Sequence, residues 1–172
     1  MTIVQELVNW AGPWQSMYND SKVVSTTVTT VHLVALMFGG GLAVAADRST
    51  LRAGRAASQA AGFGRPQQLA ELHAVHRPVL IALGILFVSG LLLAAADVET
   101  YATSWAFWVK MGLVALLVVN GALLTRTETS LRGSQSGEPK ADTLWARLRT
   151  GALISIGLWT ATLIAGAILV NA

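Results

Sequence analysis

The sequence of 172 residues contains no cysteine. This absence excludes disulfides, thiolate metal sites and haem attached through thioether bonds. Charged residues are also scarce, at 12% of the chain, whereas hydrophobic residues make up 53%. A soluble domain of this length has too little interior to bury so much apolar surface. The composition therefore predicts an integral membrane protein with several spans.

The N-terminal segment also lacks the features of a cleavable signal peptide. Its first 22 residues include Glu6, Asn9 and Asp20, and no cluster of basic residues precedes an apolar run. We therefore expect the first hydrophobic segment to be retained. The length corresponds to one domain, so we predict a single membrane domain over residues 1–172.

Four apolar runs are each near the ~20 helical residues that cross a hydrocarbon layer of ~30 Å. They cover residues 23–46, 78–96, 105–125 and 151–170. The short link 97–104 makes the second and third runs an antiparallel hairpin. Residues 3–10 have the apolar spacing of a short helix that lies on a membrane surface. The predicted fold is all-α: an integral membrane up-down four-helix bundle with a short N-terminal interfacial helix.

The basic residues are distributed unevenly between the connecting segments. Segments 47–77 and 126–150 carry ten Lys and Arg residues, whereas the N-terminal segment and the link 97–104 together carry only Lys22. Basic residues remain on the cytoplasmic side of membranes. We therefore predict a plasma (inner) membrane protein with both termini on the outer, periplasmic side. This topology explains the net charge of +3 without a nucleic-acid partner, and the expected surroundings are the lipid bilayer.

Two ionisable residues fall well inside the predicted spans at a similar depth. His32 lies about 5 Å and Lys110 about 7 Å outside the midpoints of the first and third spans, at 1.5 Å per residue. Thr29 precedes His32 by one turn, where a hydroxyl can fix the tautomer of the imidazole. Ionisable residues at membrane depth usually mark a functional site, so these residues are the candidate site.

Each candidate also has an interpretation without a ligand. His32 can form a hydrogen bond with a serine, a threonine or a carbonyl of a neighbouring helix. Lys110 follows two tryptophans and can extend its amine to the membrane surface. His73 and His76 lie three residues apart on one helical face and form a weak candidate for a metal pair. Histidines exposed to water at the membrane surface are the alternative for that pair.

Several stretches resemble a known superfamily of small membrane proteins. The first three spans, VHLVALMFGGGLAVAADR, HRPVLIALGILFVSGLLLA and YATSWAFWVKMGLVALLVVNGAL, resemble those of CopD-like copper-resistance proteins, and LWARLRTGALISIGLWTATLIAGAIL fits the fourth. The resemblance covers residues 23–170. The chain is also similar in plan to HemJ-type protoporphyrinogen oxidases, which have a histidine in an early span and a lysine in a later one.

These resemblances imply a redox-type membrane protein and leave open whether it is an enzyme. The HemJ-like plan implies a b-type haem bound through His32, with Lys110 as its partner. For such a haem, the opposite axial position would be open or taken by Met111, Met37 or water. The CopD-like plan implies copper binding or transport by His32 and nearby methionines. A third hypothesis is a non-catalytic subunit of a larger membrane complex, and the expected partners are other membrane or periplasmic redox subunits.

Overall fold

The computed structural model describes residues 3–56, 65–133 and 139–171. Within these ranges the chain is helical and contains no strand. The helices are α1 (Ile3–Asp20), α2 (Lys22–Ala56), α3 (Arg65–Ala96), α4 (Val98–Thr103), α5 (Trp105–Arg132) and α6 (Pro139–Asn171). Helices α2, α3, α5 and α6 are long and apolar enough to cross a membrane. The all-α prediction is confirmed, and the four apolar helices indicate a multi-pass membrane protein.

Each predicted span falls within one of these four helices. All four helices extend beyond their predicted spans, and the four extensions lie at the same end of the structure. We call the end at which α2 and α5 end and α3 and α6 begin the basic end, and the opposite end the α4 end. The extensions at the basic end add roughly 10–20 Å of helix at 1.5 Å per residue. A cluster of apolar side chains holds α5 and α6 together there: Leu131, Ala141, Leu144, Trp145 and Leu148. Burial of this cluster explains why these helices continue past the apolar spans.

The long helices pack side by side in an antiparallel arrangement. The most extensive contacts join α2 to α3 and α5 to α6, and a further interface joins α2 to α6, whereas α3 and α5 contact each other little. Residue numbers rise on one helix of each pair as they fall on the other. Between α2 and α3, the contacting pairs are Gly39 with Ala82 and His32 with Gly90. Between α5 and α6, they are Leu124 with Gly151 and Lys110 with Gly166. Between α2 and α6, they are Asp47 with Ser155 and Gly40 with Trp159.

Glycines on α2 allow the neighbouring helices to approach it closely. A Cβ atom placed on Gly39 would lie 2.8 Å from the Cβ of Ala82, and one placed on Gly40 would lie 3.3 Å from the ring of Trp159. The next glycine, Gly41, has no neighbouring atom within 4 Å of that position. Lipid provides no hydrophobic force between helices, so close contact of small residues stabilises the pair.

The outward faces of the four long helices are apolar. Exposed side chains include Phe38 on α2, Phe87 on α3, Val119 on α5 and Ile164 on α6. Apolar surface on this scale is rare on a soluble monomer. The faces are those that a lipid bilayer covers.

Helix α1 is longer than the predicted helix over residues 3–10, because it continues to Asp20. It packs against α2, α3 and α4, and the Nε1–H of Trp14 donates to the carbonyl of Leu92 on α3 at 2.8 Å. The link 97–104 contains a short helix that the sequence pattern did not predict. It forms α4 because the side chain of Asp97 accepts a hydrogen bond from the backbone N–H of Thr100 and caps the helix.

We expect Trp14→Phe to loosen α1, because phenylalanine keeps the ring but cannot donate to Leu92. A hydrogen bond of this kind contributes about 0.5–1.5 kcal/mol. The measurement is amide hydrogen exchange over residues 3–20, which should become faster in the variant. Trp10→Phe is the matched control because the side chain of Trp10 is 80% exposed. Equal exchange rates in the two variants would contradict the role of this hydrogen bond.

Candidate functional site

His32 lies at the interface between α2 and α3. Its Nδ1 is 2.9 Å from the Oγ of Ser89, and a Cβ atom placed on Gly90 would lie 3.4 Å from its Cε1. Residues Ser89 and Gly90 therefore form the surface of α3 on which the imidazole rests. The hydrogen bond to a serine of a neighbouring helix, one of the interpretations of His32, is present in the structure.

The hydrogen bonds of Ser89 assign the tautomer of His32. The hydroxyl of Ser89 donates to the carbonyl of Ile85 at 2.6 Å, so its oxygen is left to accept a proton from Nδ1. Nδ1 therefore carries the hydrogen and Nε2 keeps its lone pair. A neutral imidazole held in this way is the usual form of a metal-binding histidine.

Lys110 packs against α6 and lies near His32. A Cβ atom placed on Gly166 would lie 3.4 Å from the Nζ of Lys110, and the lysine is close enough for its charge to act on the imidazole. The amine therefore approaches the neighbouring helix, as the inward interpretation of Lys110 requires. In the described part of the chain no carboxylate forms an ion pair with this amine. The structure thus brings together the two main residues of the predicted site.

The other predicted site residues are placed less favourably. Thr29 lies 3.3 Å from the hydroxyl of Tyr18 on α1, so the hydroxyl that fixes the tautomer of His32 belongs to Ser89 and not to Thr29. Met111 is half-buried, directly after Lys110 on α5, and its role as an axial ligand stays a prediction. Met37 is 65% exposed, which directs it towards lipid and weakens the copper hypothesis.

The two histidines that form the weak candidate for a metal pair lie in the first part of α3. His73 and His76 lie on this helix near the basic end, but their side chains lie outside the described residues. Among the residues that the structure does describe, no group of three or more His, Cys, Asp or Glu side chains is arranged to hold a metal ion.

A second set of buried polar side chains surrounds a cavity at the basic end. The cavity measures about 90 Å³ and receives residues from all four long helices. Asp47 and Thr50 of α2, Glu128 of α5 and Ser155 of α6 line it, and each of them is buried. Ser155 donates a hydrogen bond to the carboxylate of Asp47. Neither His32 nor Lys110 lines this cavity.

Sequence spacing does not predict this second set as a site, because Asp47 and Glu128 lie just beyond the ends of the first and third predicted spans. A helical stripe would have pointed to Glu128, because Leu117, Gly121 and Leu124 precede it at alternating intervals of four and three residues.

Comparison of the chain with family models, with curated proteins and with solved structures gave no match. The resemblance to CopD-like and HemJ-type proteins stays a prediction, and the function rests on the geometry of the two sets of residues.

Proposed function

We propose that this chain is a redox-type membrane protein in which an up-down four-helix bundle binds one b-type haem through His32. One observation carries the proposal: Nδ1 of His32 lies 2.9 Å from the Oγ of Ser89. Because Ser89 donates its own hydrogen to the carbonyl of Ile85, Nδ1 is assigned as the donor in this contact and Nε2 as the nitrogen that is available to a metal. Neutral imidazole is a common axial ligand of haem iron, and helical bundles hold such cofactors between their helices.

The surrounding residues fit a haem in their chemistry. Lys110 supplies a positive charge near His32 that is suited to a haem propionate. Gly90 leaves the edge of the imidazole free of a neighbouring side chain. The cavity at the basic end is not the haem site, because its volume of about 90 Å³ is well below the ~300 Å³ of the smallest drug-sized pockets. When bound, the haem supplies one-electron chemistry.

The contacts between helices support one direction of entry for this ligand. His32 belongs to α2 at its interface with α3, and Lys110 belongs to α5 at its interface with α6. The contact between α3 and α5 is the least extensive among neighbouring long helices. A haem that entered along this seam would leave the three larger interfaces intact. Ser89 would orient the imidazole of His32, and Lys110 would supply a positive charge for a propionate.

The proposed orientation places this site in the outer half of the plasma (inner) membrane. The ten basic residues of segments 47–77 and 126–150 favour a cytoplasmic basic end, so both termini and α4 lie on the periplasmic side. His32 and Lys110 are then nearest to periplasmic or membrane redox subunits, which are the partners expected for electron exchange.

The test is the absorption spectrum of the wild-type protein, purified from cells supplied with a haem precursor. We expect a Soret band that corresponds to one haem per chain and that shifts on reduction with dithionite. Titration of haem-free protein with hemin should reach the same stoichiometry. A folded protein that shows no Soret band after either treatment would exclude this function.

A further inference from the structure

The cavity at the basic end contains an unbalanced negative charge. Asp47 and Glu128 are 7% and 4% exposed, and they are the only charged residues among the buried polar side chains of the described ranges. Glu128 forms an ion pair with Arg132, which lies one turn later on α5, at 3.2 Å. Asp47 receives only the neutral hydroxyl of Ser155. A buried carboxylate with no opposite charge is costly in a low-dielectric interior.

One oxygen of Asp47 also has no hydrogen-bond partner. Its Oδ2 is fully buried, and no donor among the described residues reaches it. Arg48 and Arg52, which follow Asp47 on α2, and Arg126, which precedes Glu128 on α5, are exposed, so they lie in water and do not enter the cavity. A buried, unpartnered carboxylate oxygen at a cavity wall indicates that something outside the protein supplies its partner.

The other polar atoms of the cavity can act as oxygen ligands. Thr50 is 1% exposed and donates its hydroxyl hydrogen to the carbonyl of Ala46, so its oxygen lone pairs are left for a ligand. The oxygen lone pairs of Ser155 are also left for a ligand, because its hydroxyl hydrogen is directed to Asp47. Hydroxyl and carboxylate oxygens are ligands for hard cations and not for soft metals such as Cu(I).

We propose that this cavity binds one monovalent inorganic cation, coordinated by Asp47 and completed by the hydroxyl oxygens of Thr50 and Ser155 and by water. The charge of the site determines whether a monovalent or a divalent cation is bound. Because Glu128 is paired with Arg132, the charge left for a ligand is the single negative charge of Asp47, which a monovalent cation neutralises and a divalent cation would overcompensate in a medium of low dielectric constant. A volume of about 90 Å³ corresponds to roughly three waters at ~30 Å³ each, or to one ion with part of its hydration shell.

This inference is independent of the proposed haem site. The cavity lies at the opposite end of the long helices from His32, which is 15 residues or about 22 Å from Asp47 along α2 at 1.5 Å per residue. Protein without haem therefore serves for the test, and loss of one site leaves the other measurable.

The test is the thermal and denaturant-induced unfolding of purified wild-type protein at mildly alkaline pH, which favours ionised carboxyls. Na⁺ or K⁺ replaces N-methylglucamine at constant ionic strength, so that general screening by salt does not change. Above the dissociation constant of a single site, each tenfold rise in the free concentration of the ion should lower the apparent unfolding constant about tenfold. Stabilisation by either ion supports the site and identifies the ion. Insensitivity to both, or stabilisation by Mg²⁺ alone, overturns it.

Three variants locate the ion. Asp47→Asn should lose the ion dependence and be at least as stable as the wild type in N-methylglucamine, because the neutral amide needs no counter-charge; this outcome distinguishes loss of the site from misfolding. Thr50→Val keeps the shape of the side chain and should weaken ion affinity while the ion-free stability is retained. Asp97→Asn at the α4 end is the matched control and should behave as the wild type. Wild-type ion dependence in both Asp47→Asn and Thr50→Val overturns the assignment.

Discussion

His32→Ala is expected to abolish the Soret band of the purified protein, because the variant has no imidazole to bind the haem iron. Ser89→Ala should retain the band but lower haem affinity about 10- to 100-fold, the usual effect of removing a group that orients a metal ligand. Ser89 accepts the hydrogen of Nδ1, and without it the imidazole can turn or change tautomer. Hemin titrations followed by absorbance compare the dissociation constants of the three proteins.

Two controls make this result specific. Thr29→Val removes the hydroxyl that lies one turn before His32, but this hydroxyl faces Tyr18, so haem affinity should not change. His73→Ala makes the same replacement as His32→Ala on a different helix and should keep the Soret band. A Soret band of full intensity in His32→Ala would exclude His32 as the ligand. Equal affinities in Ser89→Ala and the wild type would exclude the orienting role of Ser89.

Gly39→Ala is expected to destabilise the protein by driving α2 away from α3. The added methyl would lie 2.8 Å from the Cβ of Ala82, which is shorter than any van der Waals contact between carbon atoms. Because both atoms are attached directly to a backbone, the contact can be relieved only by moving a helix. Overpacking of this kind costs about 1–3 kcal/mol. Unfolding of the purified variant in detergent, followed by circular dichroism, measures the loss.

The neighbouring glycine supplies the matched control for this packing effect. Gly41→Ala adds the same methyl two residues later on α2, where no atom lies within 4 Å. Both variants gain the helix propensity of alanine, which amounts to about 1 kcal/mol relative to glycine. The difference in stability between them therefore isolates the contact with Ala82. If Gly39→Ala is as stable as Gly41→Ala, the close approach of α2 and α3 is not a feature of the folded protein.

The hydrogen-bond partner of His32 shows what spacing along a single helix cannot predict. A threonine one turn before a histidine is a reasonable partner on a single helix, and this spacing led to the prediction for Thr29. The partner in the structure is Ser89, which is 57 residues away in the chain. It was available because α3 packs antiparallel to α2 and because Gly90 lets the ring approach. Neither condition can be read from residues 26–35 alone.

The amino-acid sequence by itself determined that the chain forms four long apolar helices. It did so because hydrocarbon requires about 20 apolar residues per span with every backbone group bonded within its helix, and this requirement acts on each segment separately. It also placed His32 and Lys110 at a common depth, since depth follows from counting residues along a helix.

The tertiary structure alone decided which faces meet. It set the imidazole of His32 on Ser89 and Gly90, turned the amine of Lys110 towards Gly166, and gathered Asp47, Glu128 and Ser155 around one cavity. The rotation of each helix about its axis and the choice of its neighbours depend on contacts between small residues far apart in the chain. These contacts leave little periodicity in helices that are apolar on all sides.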